Sequence, residues 1–307
     1  MKKILVATEK PFAKVAIDEI RKVIEQAGFE LILLEKYPDT DVLTQAVHQA
    51  DALIVRSDKV TRHLIDEAPA LKIVVRAGAG YDNVDLDACS QKGIVVMNTP
   101  GQNANAVAEL TIGMMIYMSR NGFTPGSGIE LKGKTLGIQA FGNIGKLVAS
   151  IAHGMGMKVL SFDPFVSGDV MKALNVEPVL QINSLYERSD FLSLHIPAVE
   201  NTIRSIGYDL VSRMPKGATL INTARKEVID EEGLFKALLE RTDLKYATDI
   251  APGMTETYAA SLDKRFFTTP KKIGAETAEA NINAGIAAAR QIVDFFKTGN
   301  KRFQVNA

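Results

Sequence analysis

The chain has 307 residues, enough for two domains with separate cores. Its 36 basic residues balance 36 acidic residues, so no overall field favours nucleic acid or an anionic membrane. The longest apolar run, Ala106 to Met118, is shorter than the roughly 20 residues that span a bilayer. We therefore expect a small-molecule substrate, no nucleic acid and no membrane among its partners.

The amino terminus and the cysteine content indicate the compartment. Met1-Lys2-Lys3 leads directly into a short strand and does not resemble a signal peptide. The single cysteine, Cys89, excludes an internal disulfide and fits a reducing environment. We expect a cytoplasmic protein.

Short β-branched runs alternate with amphipathic stretches along the chain. The first predicted strands are Ile4 to Ala7, Leu31 to Leu34, Leu53 to Val55, Ile73 to Val75 and Ile94 to Met97. A second series comprises Thr135 to Ala140, Lys158 to Phe162, Phe191 to His195, Thr219 to Asn222 and Tyr246 to Ile250. This alternation predicts an α/β protein with two doubly wound parallel sheets.

Two long helices, Asn105 to Arg120 and Thr277 to Lys297, are predicted to cross between the two lobes. Residues 1–98 with 279–307 then form one discontinuous domain, and residues 99–278 form a domain inserted into it. The chain ends soon after the second helix, so we expect no regulatory domain.

A glycine-rich stretch follows the strand that begins at Thr135. It matches G-x-G-x-x-G except that Ala140 replaces the first glycine, while Gly142 and Gly145 are kept. Asp163 ends the next strand, where a carboxylate binds the ribose hydroxyls of NAD and repels the 2′-phosphate of NADP. Together, the glycine loop and Asp163 favour an NAD-binding site. The alternative is an ordinary strand-to-helix turn that binds no cofactor.

The chain resembles the D-2-hydroxyacid dehydrogenases and, within them, short D-3-phosphoglycerate dehydrogenases. The resemblance rests on Val55-Arg56-Ser57, Val75 to Asn83, Met97 to Pro100, Gly133 to Gly137, Asn222-Thr223-Ala224-Arg225 and Ile273-Gly274-Ala275. It implies a Rossmann NAD-binding domain inserted into a flavodoxin-like substrate domain, with substrate in the cleft between them. It also implies a homodimer.

The resemblance also assigns site residues, and none of them implies a metal. Those that match substrate-facing positions are Arg56, Ser57, Ala77, Gly78 and Ala79. Those that match the dinucleotide site, together with Gly142 of the glycine loop, are Asn143, Ile144, Asp163, His195, Ile196, Pro197, Thr202, Thr223, Ala224, Asp249, Gly274 and Ala275. His195 is expected to shape the loop beneath the cofactor and not to act as the base.

Arg225 suits a 2-hydroxy acid on chemical grounds, because a guanidinium can bind a carboxylate with paired hydrogen bonds and polarise the C2 oxygen.

Where the family has a catalytic histidine, this chain has Lys272, with Lys271 as the adjacent rival. The family's supporting glutamate is replaced by Met254, and Glu256 follows two residues later. Lysine has an ordinary pKa of about 10.4, so a lysine base works better without that carboxylate.

The leading hypothesis is oxidation of 3-phospho-D-glycerate by NAD, with Arg225 and Lys272 as catalytic residues. Arg56 and Ser57 would bind the phosphate, or form only a solvated strand end. Lys272 would take the hydroxyl proton, or would only bind substrate while water carries the proton. Two alternatives stay open: a dehydrogenase of an unphosphorylated acid such as glycerate or lactate, and an NAD-sensing binding protein with little turnover.

Overall fold

The structure, a computed structural model, describes residues 1–306 and divides into two compact units. One unit comprises Met1–Asn103 together with the chain from Glu276 onward, and the other comprises Ala104–Ala275. These units are defined by packing and not by independent folding. The expected domain limits, 1–98 with 279–307 and 99–278, therefore remain a prediction.

The first unit opens with strands and helices in strict alternation. They are β1 (Lys3–Thr8), α1 (Lys14–Gln26), β2 (Glu30–Glu35), α2 (Thr40–Val47), β3 (Ala52–Val55), α3 (Arg62–Asp66), β4 (Ile73–Arg76), α4 (Leu86–Gln91) and β5 (Val95–Asn98). The strands pair parallel in the order β2-β1-β3-β4-β5. This flavodoxin-like order reverses direction between β1 and β3, so the loops that follow these strands flank a crevice.

The second unit contains the longer sheet. Its elements are α5 (Ala104–Ser119), β6 (Thr135–Gln139), α6 (Asn143–Gly154), β7 (Lys158–Phe162), α7 (Gly168–Ala173), β8 (Glu177–Pro178), α8 (Ile182–Glu187), β9 (Phe191–Leu194), α9 (Tyr208–Val211), β10 (Thr219–Asn222), α10 (Glu231–Glu240), β11 (Lys245–Thr248), α11 (Thr255–Leu262) and β12 (Phe266–Thr268). The strands are all parallel, in the order β12-β11-β10-β9-β6-β7-β8. The order reverses between β6 and β9, as in dinucleotide-binding sheets.

The last helix, α12 (Ala278–Thr298), belongs to the first unit and packs on α1. Thr277 begins it by accepting a hydrogen bond from the N–H of Ala280, and Gly299 ends it in the left-handed conformation. Alanines and Gly285 line its buried face, which allows close approach to α1: a β-carbon at Gly285 would lie 2.9 Å from Ile20. These two termini account for the predicted extent of this helix.

The predicted fold class is confirmed: both sheets are parallel and their helices lie on both faces. Strands β3, β5, β9 and β10 are buried along their whole length, as expected for sheets covered on both sides. Two short strands, β8 and β12, were not predicted. The predicted strand Tyr246 to Ile250 ends at Thr248, because Asp249 and Ile250 leave the ladder. Among residues 1–306, no helix is both long and apolar enough to cross a membrane.

Candidate functional site

The register of the second sheet brings several predicted residues to one edge. Gln139 of β6 is level with Leu194 of β9, and Asn222 of β10 is level with both Leu194 and Thr248 of β11. Since parallel strands share their carboxyl edge, the residues that follow each of these positions emerge side by side. Ala140, His195, Thr223 and Asp249 are those residues.

The glycine loop joins β6 to α6 by a tight turn. Ala140 has a φ of +79°, the left-handed conformation that the first glycine of the motif ordinarily supplies. A β-carbon at Gly145 would lie 2.4 Å from the Ala140 carbonyl oxygen, so only glycine lets the helix approach this turn. Gly142 caps α6 without a side chain, and the space beside it is open. Asn143 is exposed and Ile144 half-buried in the first turn.

Asp163 lies just beyond β7 and fixes two backbone segments. Its Oδ2 accepts a hydrogen bond of 2.8 Å from the N–H of Phe141, and its Oδ1 accepts one of 2.8 Å from the N–H of Phe165. The carboxylate is half-buried. It therefore stands directly beside the glycine loop, where the sequence motif puts the ribose-binding carboxylate.

His195 lies on the loop after β9, and burial makes its ring a weak base. Burial lowers its pKa to about 3, so the ring is neutral near pH 7. Nε2 is 2.8 Å from Ser193 Oγ, while Nδ1 is buried without a hydrogen-bond partner among the described residues. Ile196 is buried in the core. Thr202 folds this loop back, donating to the Pro197 carbonyl at 2.5 Å and accepting from Val199 N–H at 2.9 Å.

The segment after β10 is rigidly held. Asn222 is buried, accepts from the N–H of Ala224 at 2.9 Å and donates to the Arg225 carbonyl at 3.0 Å. The hydroxyl of Thr223 is 3.0 Å from that of Thr111 on α5. These contacts leave Arg225 exposed at the end of a fixed turn, where its guanidinium Nη1 donates to the Ala224 carbonyl at 2.9 Å.

Lys272 reaches the same carbonyl. Its Nζ donates to Ala224 O at 2.7 Å, so the amine and the Arg225 guanidinium lie within about 6 Å of each other. Lys271 is exposed, and its carbonyl accepts from the Thr269 hydroxyl at 2.7 Å. The bond to the Ala224 carbonyl thus places the Lys272 amine next to Arg225.

Asp249 is fully buried near Lys272. Its Oδ2 accepts from Gly274 N–H at 2.8 Å, and its Oδ1 has no hydrogen-bond partner within residues 1–306. Burial raises its pKa, while the nearby charge of Lys272 and the N–H of Gly274 act in the opposite direction. A carboxylate therefore lies near Lys272 even though the family's glutamate is missing. Ala275 follows, half-buried.

Met254 stands where the family has that glutamate. Met254 is half-buried against an apolar cluster that includes Tyr258. The carboxylate of Glu231, at the start of α10, accepts from the N–H of Gly253 at 2.9 Å and of Met254 at 3.0 Å. Glu256 is exposed in the first turn of α11. Glu231 thus fixes this loop, and no sequence motif marked it.

In the first unit, Arg56 stands at the carboxyl end of β3. Its Nη2 donates to Asn281 Oδ1 at 2.5 Å, its Nη1 donates to the Lys10 carbonyl at 3.3 Å, and its guanidinium carbon lies 5.2 Å from the Phe12 ring centroid. Ser57 is exposed next to it. This cation lies beside the crevice between β1 and β3.

The backbone of Ala77, Gly78 and Ala79 follows the neighbouring strand, β4. Asn98 donates to the Ala79 carbonyl at 2.7 Å, and Thr99 N–H donates to the Gly78 carbonyl at 2.9 Å. Gly78 has a φ of +151°, and a β-carbon there would overlap the Arg76 guanidinium at 1.6 Å. Arg76 therefore lies over Gly78, and its Nε donates to the Arg56 carbonyl at 2.8 Å.

Several residues that shape the candidate sites of the two units were not predicted from the sequence. They are Asp58, Arg76, Asn281 and Glu231, which act mainly through contacts with residues far away in the chain. Only Arg76 carried a signal, as the arginine directly before Ala77. In the part of the chain that the structure describes, no group of three or more His, Cys, Asp or Glu side chains could hold a metal.

The chain is similar to known proteins in both sequence and structure. Residues 6–306 match the family described as D-isomer specific 2-hydroxyacid dehydrogenase, catalytic domain. A crystal structure of an NAD⁺-bound 3-phosphoglycerate dehydrogenase from Entamoeba histolytica is 51% identical, with a TM-score of 0.88 over 100% of this chain and 99% of that chain.

Two curated relatives have different activities. D-3-phosphoglycerate dehydrogenase of Methanocaldococcus jannaschii is 37% identical over 88% of this chain and 54% of its own length, so the chain spans about half of that relative. Hydroxypyruvate reductase of Thermotoga maritima is 36% identical over 86% of this chain and 90% of its own.

Proposed function

We propose that this chain, which belongs to the D-isomer specific 2-hydroxyacid dehydrogenase family, oxidises 3-phospho-D-glycerate to 3-phosphohydroxypyruvate with NAD. One observation carries the proposal: Lys272 Nζ and Arg225 Nη1 both donate to the Ala224 carbonyl oxygen. An amine and a guanidinium this close can act on one C2 hydroxyl and its adjacent carboxylate. The E. histolytica dehydrogenase, 51% identical to this chain, supports the choice of substrate.

The residues of the second unit fit NAD. The uncapped amino terminus of α6 at Gly142 offers N–H groups for a pyrophosphate, and Asp163 offers a carboxylate for ribose hydroxyls. Asp249 Oδ1, buried without a hydrogen-bond partner in the described chain, is an acceptor suited to the carboxamide of nicotinamide. When bound, NAD supplies the hydride acceptor.

Arg225 and Lys272 then divide the work on the substrate. The guanidinium keeps its charge at all working pH values, binds the carboxylate and stabilises negative charge on the C2 oxygen as the hydroxyl loses its proton. Lys272, in its neutral form, takes that proton. The Ala224 carbonyl holds the amine next to Arg225.

Arg56 and Ser57 bind the phosphate in this proposal. The guanidinium uses one N–H at Asn281 and one at Lys10, which leaves three of its five N–H groups for phosphate oxygens. Gly78 and its neighbours provide close backbone approach. We propose these residues as the substrate-binding set.

An unphosphorylated acid is the second candidate. The T. maritima hydroxypyruvate reductase, 36% identical to this chain, favours it, and Arg225 and Lys272 suit both substrates. The two candidates differ at Arg56, which would bind a phosphate in the first case and has no phosphate to bind in the second.

NADH formation at 340 nm with 3-phospho-D-glycerate, D-glycerate and D-lactate separates these candidates. We expect the highest kcat/KM with 3-phospho-D-glycerate and NAD. Equal values for glycerate would favour the second candidate. An inactive protein that binds NAD tightly would favour an NAD sensor.

The remaining proposals concern setting and assembly. Oxidation of 3-phospho-D-glycerate is the entry step of serine biosynthesis, and we propose that role in the cytoplasm. We also propose a homodimer, which light scattering coupled to size-exclusion chromatography tests.

A further inference from the structure

A buried carboxylate lies immediately beneath Arg56. Asp58 is 8% exposed and makes no ion pair in the described structure. Its Oδ1 accepts from the Tyr37 hydroxyl at 2.5 Å and from the N–H of Glu9 at 2.7 Å, and its Oδ2 accepts from the N–H of Arg56 at 3.3 Å. A carboxylate without a cation is costly to bury unless several donors satisfy it, so this arrangement is a specific one.

The three donors come from three different loops at one edge of the sheet. Glu9 follows β1, Tyr37 follows β2, and Arg56 follows β3. Asp58 therefore joins the loops that flank the crevice between β1 and β3, where the winding of the sheet reverses. Among the described residues, Asp58 Oδ1 is the hydrogen-bond acceptor for the N–H of Glu9.

The loop that carries Arg56 is also fixed through its carbonyl groups. Arg76 Nε donates to the Arg56 carbonyl at 2.8 Å, and Asn83 Nδ2 donates to the Asp58 carbonyl at 2.7 Å. Asp58 adds the remaining restraint, on the N–H of Arg56. The backbone from Arg56 to Asp58 is thus restrained by hydrogen bonds at three points.

These restraints determine where the Arg56 guanidinium stands. One of its acceptors is the carbonyl of Lys10, the residue after Glu9. If the loop after β1 moved away from β3, this acceptor and the Phe12 ring below the guanidinium would move with it. Asp58 thereby controls both the backbone of Arg56 and part of the surface on which its side chain rests.

We propose that Asp58, held by Tyr37, is a positioning residue for the phosphate end of the substrate: it acts through Arg56 and sets the preference for a phosphorylated 2-hydroxy acid. This inference rests on the proposed function. It predicts that disturbing Asp58 weakens binding of the phosphate and leaves the chemistry at C2 unchanged.

The first test is Asp58→Asn, which keeps the shape of the side chain. The amide has one acceptor oxygen, so if that oxygen stays with Tyr37 and Glu9, its NH₂ faces the N–H of Arg56. We expect the KM for 3-phospho-D-glycerate to rise on the order of tenfold. We expect kcat with this substrate, and kcat/KM with D-glycerate, to stay within about twofold. Tyr37→Phe should show the same pattern more weakly, since it removes one donor and no charge.

Asp51→Asn is the matched control. Asp51 precedes β3 at the opposite end of the sheet, where its Oδ2 accepts from the N–H of Lys3 at 2.9 Å and its Oδ1 from Lys2 Nζ at 2.6 Å. It therefore also joins β1 to β3 but lies away from Arg56. This variant should lower the melting temperature without changing either KM.

A double-mutant cycle with Arg56→Ala decides whether Asp58 acts through Arg56. The double variant should have the same KM for 3-phospho-D-glycerate as Arg56→Ala alone. Additive losses, or a normal KM in Asp58→Asn despite a lower melting temperature, would reduce Asp58 to a structural role. If Arg56→Ala itself leaves 3-phospho-D-glycerate unaffected, the phosphate role in the proposed function is wrong, and the inference about Asp58 is overturned with it.

Discussion

Lys272 and Arg225 share one hydrogen-bond acceptor, the carbonyl oxygen of Ala224, at 2.7 Å from Nζ and 2.9 Å from Nη1. Two cationic side chains repel each other, so a common acceptor is one way to keep them adjacent before substrate arrives. A carboxylate substrate would take over this role. We expect this arrangement to let a lysine act where the family has a histidine, because the Ala224 carbonyl holds the amine beside Arg225.

Lys272→Ala should lose on the order of 100-fold or more in kcat, because the group that takes the hydroxyl proton is gone. Binding of NAD, followed by quenching of tyrosine fluorescence or by calorimetry, should stay close to that of the wild type. A small primary amine added to the assay should restore part of the rate.

Two further variants serve as controls for Lys272. Lys271→Ala should retain nearly full kcat, since the Lys272 amine is the one that shares the Ala224 carbonyl with Arg225. Lys272→Arg keeps a donor for Ala224 but cannot give up its proton, and should therefore remain inactive. If Lys271→Ala is the variant that loses activity, the roles of the two lysines are reversed.

Gly78→Ala should damage the first unit more than an ordinary turn substitution. The new β-carbon would overlap Arg76 Nη1, so the guanidinium must leave and its hydrogen bond to the Arg56 carbonyl is lost. We expect a loss of about 1–3 kcal/mol in the free energy of unfolding and a higher KM for 3-phospho-D-glycerate. Gly93→Ala, at another positive φ with open space around it, should lower stability without changing KM. Equal kinetic effects of the two variants would contradict this role of Arg76.

Much of this architecture could be predicted from the sequence because its signals are local. The β-branched runs predicted both sheets, and the glycine loop with Asp163 predicted which sheet suits a dinucleotide. Contacts such as Asp58 with Tyr37, or Arg56 with Asn281, join residues that are far apart in the chain and carry no motif. The resemblance to the family favours Lys272 over the adjacent Lys271, whereas the contact of Lys272 Nζ with the Ala224 carbonyl carries no motif.

Ala140→Gly should stabilise the protein. Ala140 has a φ of +79°, which costs a residue with a β-carbon roughly 1–2 kcal/mol, and part of this gain is offset by the greater freedom of glycine in the unfolded chain. We expect a net gain of about 0.5–1 kcal/mol and an unchanged affinity for NAD. Asn175→Gly, at a φ of +58° outside the loop, is the control and should also raise the melting temperature. A lower melting temperature for Ala140→Gly would mean that its packing against the core outweighs the strain.

His195 should make the protein sensitive to acid. Burial lowers its pKa from 6.5 to about 3, so between these values the unfolded chain binds a proton that the folded protein does not. Stability should therefore fall as the pH drops from about 6.5 towards 3. His195→Gln should show a flatter melting temperature over this range in calorimetry, whereas His48→Gln, at an exposed site, should keep the slope of the wild type. Parallel slopes for all three proteins would exclude His195 as the source.

Asp163 should make the enzyme prefer NAD over NADP by at least about tenfold in kcat/KM, which corresponds to about 1.4 kcal/mol. Its carboxylate would face the additional 2′-phosphate of NADP, and the next residues, Pro164, Phe165 and Val166, provide no cation to accept it. The test variant is Asp163→Asn, which keeps one acceptor oxygen for the N–H of Phe141 or of Phe165, whereas Asp163→Ala would release both N–H groups. Removing the charge should reduce the preference by raising kcat/KM for NADP.

The control for Asp163 is Asp169→Asn on α7, whose side chain is 95% exposed. It removes the same charge from the neighbouring helix and should leave the ratio of the two cofactors unchanged. A similar change in both variants would point to the general field of this surface instead of a contact with the ribose. Comparable kcat/KM for NAD and NADP in the wild type would contradict the role of Asp163 itself, since one unscreened carboxylate at the ribose is incompatible with an unhindered 2′-phosphate.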